Sequence, residues 1–505
     1  MNKNLYTLLR EGFSKGEERI FLDCMDGHPW SYGAMDRLCG RFAGAFLDMG
    51  VQAGDRVLVQ VEKSPAAIAV YLACLRIGAV YTPLNTAYTA HELEFFLDDA
   101  KPVLFISTPE NHEKLRPLAR RAGIRQHHAL GTSETGHLWA QAQVGRVHEA
   151  ICQVEETDIA AMLYTSGTTG RPKGALLSHG NLASNALALH ALWGFHPGDV
   201  LLHALPVYHV HGLFVALHCA MLSACRVLFL PRFDDNLILE RLPEATVMMG
   251  VPTYYSRLLA RPDFKHACCR GMRLFISGSA PLLPQTFNEF EQRSGHRILE
   301  RYGMTETGMI ASNPLQGERI AGTVGFPLPG TEVRICDDEG KLQPDGEIGT
   351  VEVRGPNVFR GYWQRPELAA EVFRADGFFI TGDLGQLDDG RLTLAGRGKD
   401  LIISGGLNVY PKEIEICLDE LPEIEESAVI GVPHPDFGEA VIALVVAAAG
   451  TAFDEARLSS ALRPLLAGFK QPKRIIAIKE LPRNAMGKVE KNVLREKYRD
   501  VLSKK

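Results

Sequence analysis

Tyr164-Thr165-Ser166-Gly167-Thr168-Thr169-Gly170-Arg171-Pro172-Lys173-Gly174 is the stretch around which this chain is organised. The apolar residues Ile159 to Leu163 before it read as a strand, and a loop of hydroxyls, three glycines and a lysine follows. Glycines let a backbone turn tightly and approach a ligand closely. Exposed N–H groups, hydroxyls and a cation that face one volume suit a polyphosphate. The spacing excludes a P-loop, because Pro172 stands where G-x-x-x-x-G-K-[ST] requires a glycine. It also excludes the G-x-S-x-G elbow, because no glycine lies two residues before Ser166. A plain surface loop is the competing reading, but such loops rarely gather so many phosphate-type ligands behind a buried strand.

The remaining composition narrows the class. A chain of 505 residues is long enough for several domains, and 46% hydrophobic with 23% charged residues is ordinary for a globular protein. The formal net charge of -6 argues against nucleic acid or an anionic membrane as a partner. The ten cysteines form no C-x-x-C pair, so neither a zinc knuckle nor a thioredoxin-like site is expected, and their apolar surroundings suit buried free thiols in a reducing compartment. Met1 to Arg10 lacks the apolar core of a signal peptide. The longest apolar run, near Ala440 to Gly450, is too short to span a bilayer, and Ser503-Lys504-Lys505 is not the peroxisomal tripeptide. The expectation is a soluble cytoplasmic protein.

Outward from the loop, short apolar runs alternate with helical patterns. Val57 to Val61, Val80 to Leu84 and Val103 to Ile106 read as strands, and Pro65 to Gly78 as a helix with glycine as its stop. Val200 to Leu202, Arg226 to Leu230, Ala245 to Met249 and Arg273 to Ile276 continue the theme, with a helix from Pro284 to Arg293. This argues for an α/β layout with largely parallel sheets. From Gly322 to Leu394 short alternating runs among glycines indicate antiparallel β structure, expected as a small barrel. Gly396-Arg397-Gly398-Lys399-Asp400 is the boundary candidate, followed by a compact α+β tail.

Five segments in order then carry a resemblance: Tyr164–Gly174, Arg301-Tyr302-Gly303-Met304-Thr305-Glu306, Thr381-Gly382-Asp383, Gly396–Asp400 and Pro482-Arg483-Asn484-Ala485-Met486-Gly487-Lys488. Together they resemble the adenylate-forming (acyl-activating) superfamily over almost the whole chain. The resemblance implies a large N-terminal domain over 1–396, built of two α/β-layered sheets plus the small β-barrel, a hinge at 397–400, and a small mobile α+β C-terminal domain over 401–505. It implies two half-reactions: a carboxylate and ATP give an acyl-adenylate and pyrophosphate, and a thiol, usually of coenzyme A, then displaces AMP.

The resemblance also assigns roles. Thr165, Ser166, Gly167, Thr168, Thr169, Gly170 and Lys173 would wrap the β- and γ-phosphates, and Ser277, Gly278 and Ser279 would run beside the nucleotide unless they form only a strand-to-helix turn. Glu300, Tyr302, Gly303 and Met304 complete that wall, with Tyr302 stacked on adenine. Thr305 would bond the α-phosphate and Glu306 would hold Mg²⁺. Asp383 would accept the ribose hydroxyls, with Arg397 beside it. Lys399 aligns with the hinge, and Lys488 with the lysine that reaches the α-phosphate and carboxylate during adenylation. Lys488 is also where such enzymes are controlled by a lysine acetyltransferase and deacetylase, since acetylation removes the charge. Gly405 and Gly406 would face the pantetheine tunnel, and Lys470, Lys473 and Arg474 are candidates for the coenzyme A phosphates. A monomer or a homodimer is expected.

The acid is suggested by cations. Many members have a small residue where Arg301 precedes Tyr302, bordering the acyl group. A buried guanidinium needs a partner, and a second substrate carboxylate would provide one in bidentate geometry. Arg257, after Val251-Pro252, His209, at the gate near the acyl carboxylate, and Arg171 in the phosphate loop are further candidates, while His209 and His211 can equally be packed core histidines. These segments resemble the malonate-activating branch of the superfamily, with Gly308-Met309-Ile310 as a departure that bears on methylmalonate. The alternatives are a synthetase for another short or aromatic carboxylate, whose arginines an acidic residue ties up, and a carrier-protein-loading adenylation domain.

Overall fold

A computed structural model describes the chain except for Met1, Asp26, Ser133, 167–171, 405–406, 435–436, Ala467, 485–486 and 503–505. The sequence-predicted sites Gly167, Thr168, Thr169, Gly170, Arg171, Gly405 and Gly406 therefore lie outside the described residues.

Six strands form the first sheet, in the order Gln126–Ala129, Leu104–Ser107, Arg56–Gln60, Val80–Pro83, Ile159–Ser166, Pro172–Ser178. All neighbours are parallel except the last pair, which is antiparallel with Tyr164 opposite Gly174 and Thr165 opposite Lys173. The strands on either side of the glycine-rich stretch are thus antiparallel neighbours, one ending at Ser166 and the other beginning at Pro172. Gly174 is required by close packing: a Cβ there would lie 2.8 Å from the Met162 sulfur.

The helix Pro65–Ile77 shows how local chemistry sets an element. Ser64 caps it by accepting from the Ala67 N–H, Pro65 fills its first turn, and Gly78 ends it at φ 75. Alanine, valine, leucine and isoleucine cover all its faces, and it is buried throughout in the largest core of the molecule.

A second path of strands runs from Glu332–Cys336 through Gly349–Arg354, Phe379–Asp388, Arg391–Arg397, Thr323–Pro327, Gly308–Ser312, Leu299–Met304, Leu274–Ser277, Val247–Gly250, Val200–His203, Arg226–Phe229 and Ile20–Cys24 to Trp30–Ser31. The antiparallel unit expected from the glycine-rich texture is present, but among the described strands no pairing closes it into a barrel. It joins the parallel sheet edge to edge at Leu299–Met304, which is parallel to Leu274–Ser277 on one side and antiparallel to Gly308–Ser312 on the other. The strand carrying Glu300 to Met304 marks the change in topology.

Sheet membership changes again after Arg397. Ile402–Ser404 pairs with Leu407–Val409 and with Gly438–Ala447, which also pairs with Ile424–His434 and Arg474–Ala477. The helices Pro411–Asp419, Glu455–Leu462 and Lys491–Tyr498 accompany this sheet, which has its own apolar cores. Among the described residues no helix is long and apolar enough to cross a membrane, and no cysteine is in a disulfide.

Candidate active site

The antiparallel strands Ile159–Ser166 and Pro172–Ser178 bring Thr165 and Lys173 to Glu306. Thr305 and Glu306 lie in the turn between Leu299–Met304 and Gly308–Ser312, and Gly303 is needed there because a Cβ would fall 2.2 Å from the Gly308 carbonyl oxygen. The Glu306 carboxylate is 5% exposed and accepts at Oε1 from the Thr165 hydroxyl at 3.2 Å and the Tyr362 hydroxyl at 3.0 Å. Burial raises its pKa, and these hydrogen bonds oppose the rise. Lys173 Nζ lies 5.4 Å from the Tyr362 ring centroid. Tyr362 is absent from the sequence-based set. It reaches the site because Gly361 and Trp363 exchange backbone hydrogen bonds with the strand Pro172–Ser178, at Leu176 and Gly174.

A second group forms around Asp383. Its Oδ2 accepts from the Tyr302 hydroxyl at 2.5 Å and its Oδ1 pairs with Arg397 Nε at 2.7 Å. Gly382 at φ 71 makes the turn, and the Thr381 hydroxyl receives the Asp383 N–H while donating to the Val351 carbonyl. Asp383, Tyr302 and Arg397, separately assigned to the nucleoside, are therefore one connected unit. A carboxylate offers about four acceptor positions, so acceptor capacity remains for further hydroxyls. Glu300 is 6% exposed and accepts from the Gly322 N–H at 3.1 Å, and burial pushes its carboxyl up to about 8.

The third group differs in character. Arg301 is 3% exposed, and among the described residues no carboxylate pairs with it. Burial pushes its pKa down to about 9. Its Nε has no hydrogen-bond partner, and one terminal nitrogen stands 3.5 Å from the Ser279 hydroxyl. The pairing of Ser277 with Glu300 sets Gly278 and Ser279 beside Arg301, and a Cβ on Gly278 would lie 2.4 Å from its Cζ. Gly278 and Ser279, expected along the nucleotide, pack against the Arg301 guanidinium.

His209 accepts the His211 N–H at Nδ1, and burial together with the Arg301 charge pushes its pKa down to about 4, so it is neutral. Arg257, expected to face the acid, is exposed instead, with its guanidinium 5.8 Å from the Phe233 ring centroid. The helix Pro252–Leu259 buries Tyr255, Leu258 and Leu259, and this leaves position 257 on its outer side. Among the described residues no group of three or more His, Cys, Asp or Glu side chains is placed to hold a metal ion.

Lys488 comes from the C-terminal lobe. Its side chain is solvent-exposed, yet it stands close enough to the N-terminal lobe that partial desolvation and the Arg397 charge lower its pKa to about 8, while Asp383 pulls it upward. Its preceding turn, with Gly487 at φ 74, rests on the N-terminal lobe, since a Cβ on Gly487 would be 3.3 Å from the Thr253 hydroxyl. Arg495 holds Asp400 at 2.6 Å beside the exposed Lys399, on the short turn Gly398–Asp400. Farther out, Lys470 pairs with Glu413 and Arg474 with Glu455, whereas Lys473 lies over the Phe437 ring at 4.7 Å.

Comparison with known proteins agrees with this arrangement. Residues 9–363 match the AMP-binding enzyme family and residues 413–488 match the AMP-binding enzyme C-terminal domain. A malonate–CoA ligase of Arabidopsis thaliana is 35% identical, covering 98% of this chain and 89% of its own length. The crystal structure of ATP-bound MatB from Rhodopseudomonas palustris superposes with a TM-score of 0.97 at 50% identity, covering 99% of this chain and 100% of that one. The apo form of the same protein, at 50% identity and the same coverage of 99% and 100%, gives 0.86. The chain as a whole therefore superposes more closely on the nucleotide-bound than on the apo form of that relative. By sequence and by fold the chain belongs to the AMP-binding enzyme family.

Proposed function

We propose that this protein is an ATP- and CoA-dependent ligase that converts malonate to malonyl-CoA through a malonyl-adenylate, releasing pyrophosphate and then AMP. The observation that carries the acid is Arg301, a buried guanidinium with no acidic partner among the described residues. An unpaired buried cation is costly, and the second carboxylate of a small diacid is a partner of matching charge and geometry. The malonate–CoA ligase and MatB relatives support the same substrate. The reading in which an acidic side chain occupies the arginine lacks such a side chain at Arg301.

The acid's carboxylate oxygen attacks the α-phosphate and pyrophosphate leaves. The chemistry is mainly a matter of bringing two anions together and holding them in line. Thr165 and Lys173 face the β- and γ-phosphates, Thr305 the α-phosphate, Asp383 with Arg397 the ribose and Tyr302 the adenine. Lys488 bridges the α-phosphate and the attacking carboxylate. Glu306 fits Mg²⁺, being a buried carboxylate among hydroxyl oxygens, the hard donors this ion prefers. When bound, the ion neutralises phosphate charge. The lobes then turn about Lys399, and the coenzyme A thiol attacks the acyl carbonyl and displaces AMP. Lysine acylation at Lys488 would stop the first step by removing its charge.

A screen of CoA consumption with malonate, methylmalonate, succinate, acetate and benzoate tests this reading. Malonate is expected to give the highest kcat/KM, and equal turnover of malonate and acetate would overturn it. Gly278→Ala offers a sharper check. Its methyl must displace the Arg301 guanidinium, so kcat/KM for malonate should fall on the order of tenfold to 100-fold while KM for ATP holds.

A further inference from the structure

Arg301 is not the only buried donor without an acceptor in this part of the molecule. His211 is 1% exposed, and its Nε2 has no partner either. Ser279 lies between the two: its Oγ is 3.4 Å from His211 Nδ1 and 3.5 Å from an Arg301 terminal nitrogen. Arginine can only donate, so the serine oxygen accepts on that side and its single proton is free for Nδ1. Burial, with the charge of Arg301 beside it, keeps His211 neutral. A neutral imidazole that accepts at Nδ1 carries its proton on Nε2.

The surrounding framework holds this geometry. Ser279 sits at φ 73, a costly conformation for serine that persists only where neighbours enforce it. His211 opens a π-helical segment, His211–Leu217, a form frequent at functional sites. The carbonyl of the next residue, Gly212, is 2.9 Å from His203 Nε2, and because a carbonyl only accepts, that nitrogen carries the proton and leaves Nδ1 to accept from Lys63 Nζ at 2.8 Å. A Cβ on Gly212 would fall 2.1 Å from the Pro206 oxygen, so the segment is pressed against the Pro206 turn.

We propose that His211 is a specificity-determining residue for the acid, its Nε2–H and the Arg301 guanidinium together receiving the two oxygens of the distal carboxylate. This rests on the malonate reading above. It defines the far end of the substrate as a group with two acceptor oxygens and no donor. A distal amide, which turns an N–H₂ toward one of the two donors, is rejected.

The test compares wild type, His211→Leu and His211→Gln with malonate, its half-amide malonamate and acetate, in an ATP–pyrophosphate exchange assay. Wild type is expected to favour malonate over both other acids. His211→Leu should raise KM for malonate about tenfold, leave KM for ATP unchanged and shrink the preference for malonate over malonamate. His211→Gln, which keeps an N–H donor, should recover part of that loss. An unchanged malonate KM and an unchanged preference in His211→Leu overturn the proposal while leaving malonate as the substrate. A parallel rise of KM for malonate and ATP in both variants also overturns it, since a packing role alone predicts that. Equal use of malonate and acetate by wild type overturns the malonate reading and this inference with it.

Discussion

Arg301→Met is expected to lower kcat/KM for malonate by about 100-fold while the protein stays folded with its apparent melting temperature unchanged or raised. The two effects have opposite signs because the guanidinium plays opposite parts in the two states. In the free protein it is 3% exposed and, among the described residues, has an unpartnered Nε and no carboxylate paired with it, so burial already drives its pKa down to about 9. Replacing such a charge by an apolar side chain of similar length removes a desolvation penalty. With the diacid bound, the same substitution strands a buried carboxylate without its counter-charge, which costs about 3 kcal/mol, or about 100-fold. An acid with a neutral end has nothing to lose, so butyrate should gain on malonate in the variant. Initial rates with malonate, butyrate and varied ATP, together with a thermal melt, check all of this. A melting temperature that falls along with activity for every acid would mean that Arg301 is structural.

Local signals made much of the frame legible. Ser64, Pro65 and Gly78 bracket one buried helix, and the structure uses each of them as a cap, a first-turn residue and a left-handed stop. Glu306, Asp383 and Arg397 were identifiable because motif spacing survives in the sequence, and the fold gathers them with Thr165 and Lys173. What stayed hidden depends on contacts between distant segments. Tyr362 reaches Glu306 across 56 positions through strand pairing that no local pattern encodes. The open antiparallel extension looks like a barrel in sequence because alternation specifies strands and not their partners. The missing partner of Arg301 and the orphan nitrogen of His211 are absences in space, which a sequence cannot display. Arg257 is the exception: Tyr255, Leu258 and Leu259 mark the inner face of its helix, and that period already placed Arg257 outside.

Lys488→Ala should abolish adenylation, by about 100-fold to 1000-fold, yet largely spare thioester formation from preformed malonyl-adenylate and coenzyme A. The asymmetry follows from where the lysine sits. It belongs to the C-terminal lobe but feels Arg397 and Asp383 of the nucleoside unit, and its turn rests near Thr253. A contact made by one lobe on the other exists only in the orientation that brings them together, so it serves one half-reaction. Its electrostatics add a pH signature. Although the side chain is open to solvent, partial desolvation against the other lobe and the Arg397 charge bring the ammonium down to about 8, and the charged form is the one that attracts phosphate and carboxylate. The kcat/KM for adenylation, which reports the free enzyme, should therefore hold below that value and fall as pH rises through it. The residual rate of Lys488→Ala should lack that alkaline limb. Rapid-quench measurement of each half-reaction across pH separates the outcomes. Equal loss of both half-reactions would contradict rotation about Lys399, and a limb that persists in Lys488→Ala would assign the titration to another group.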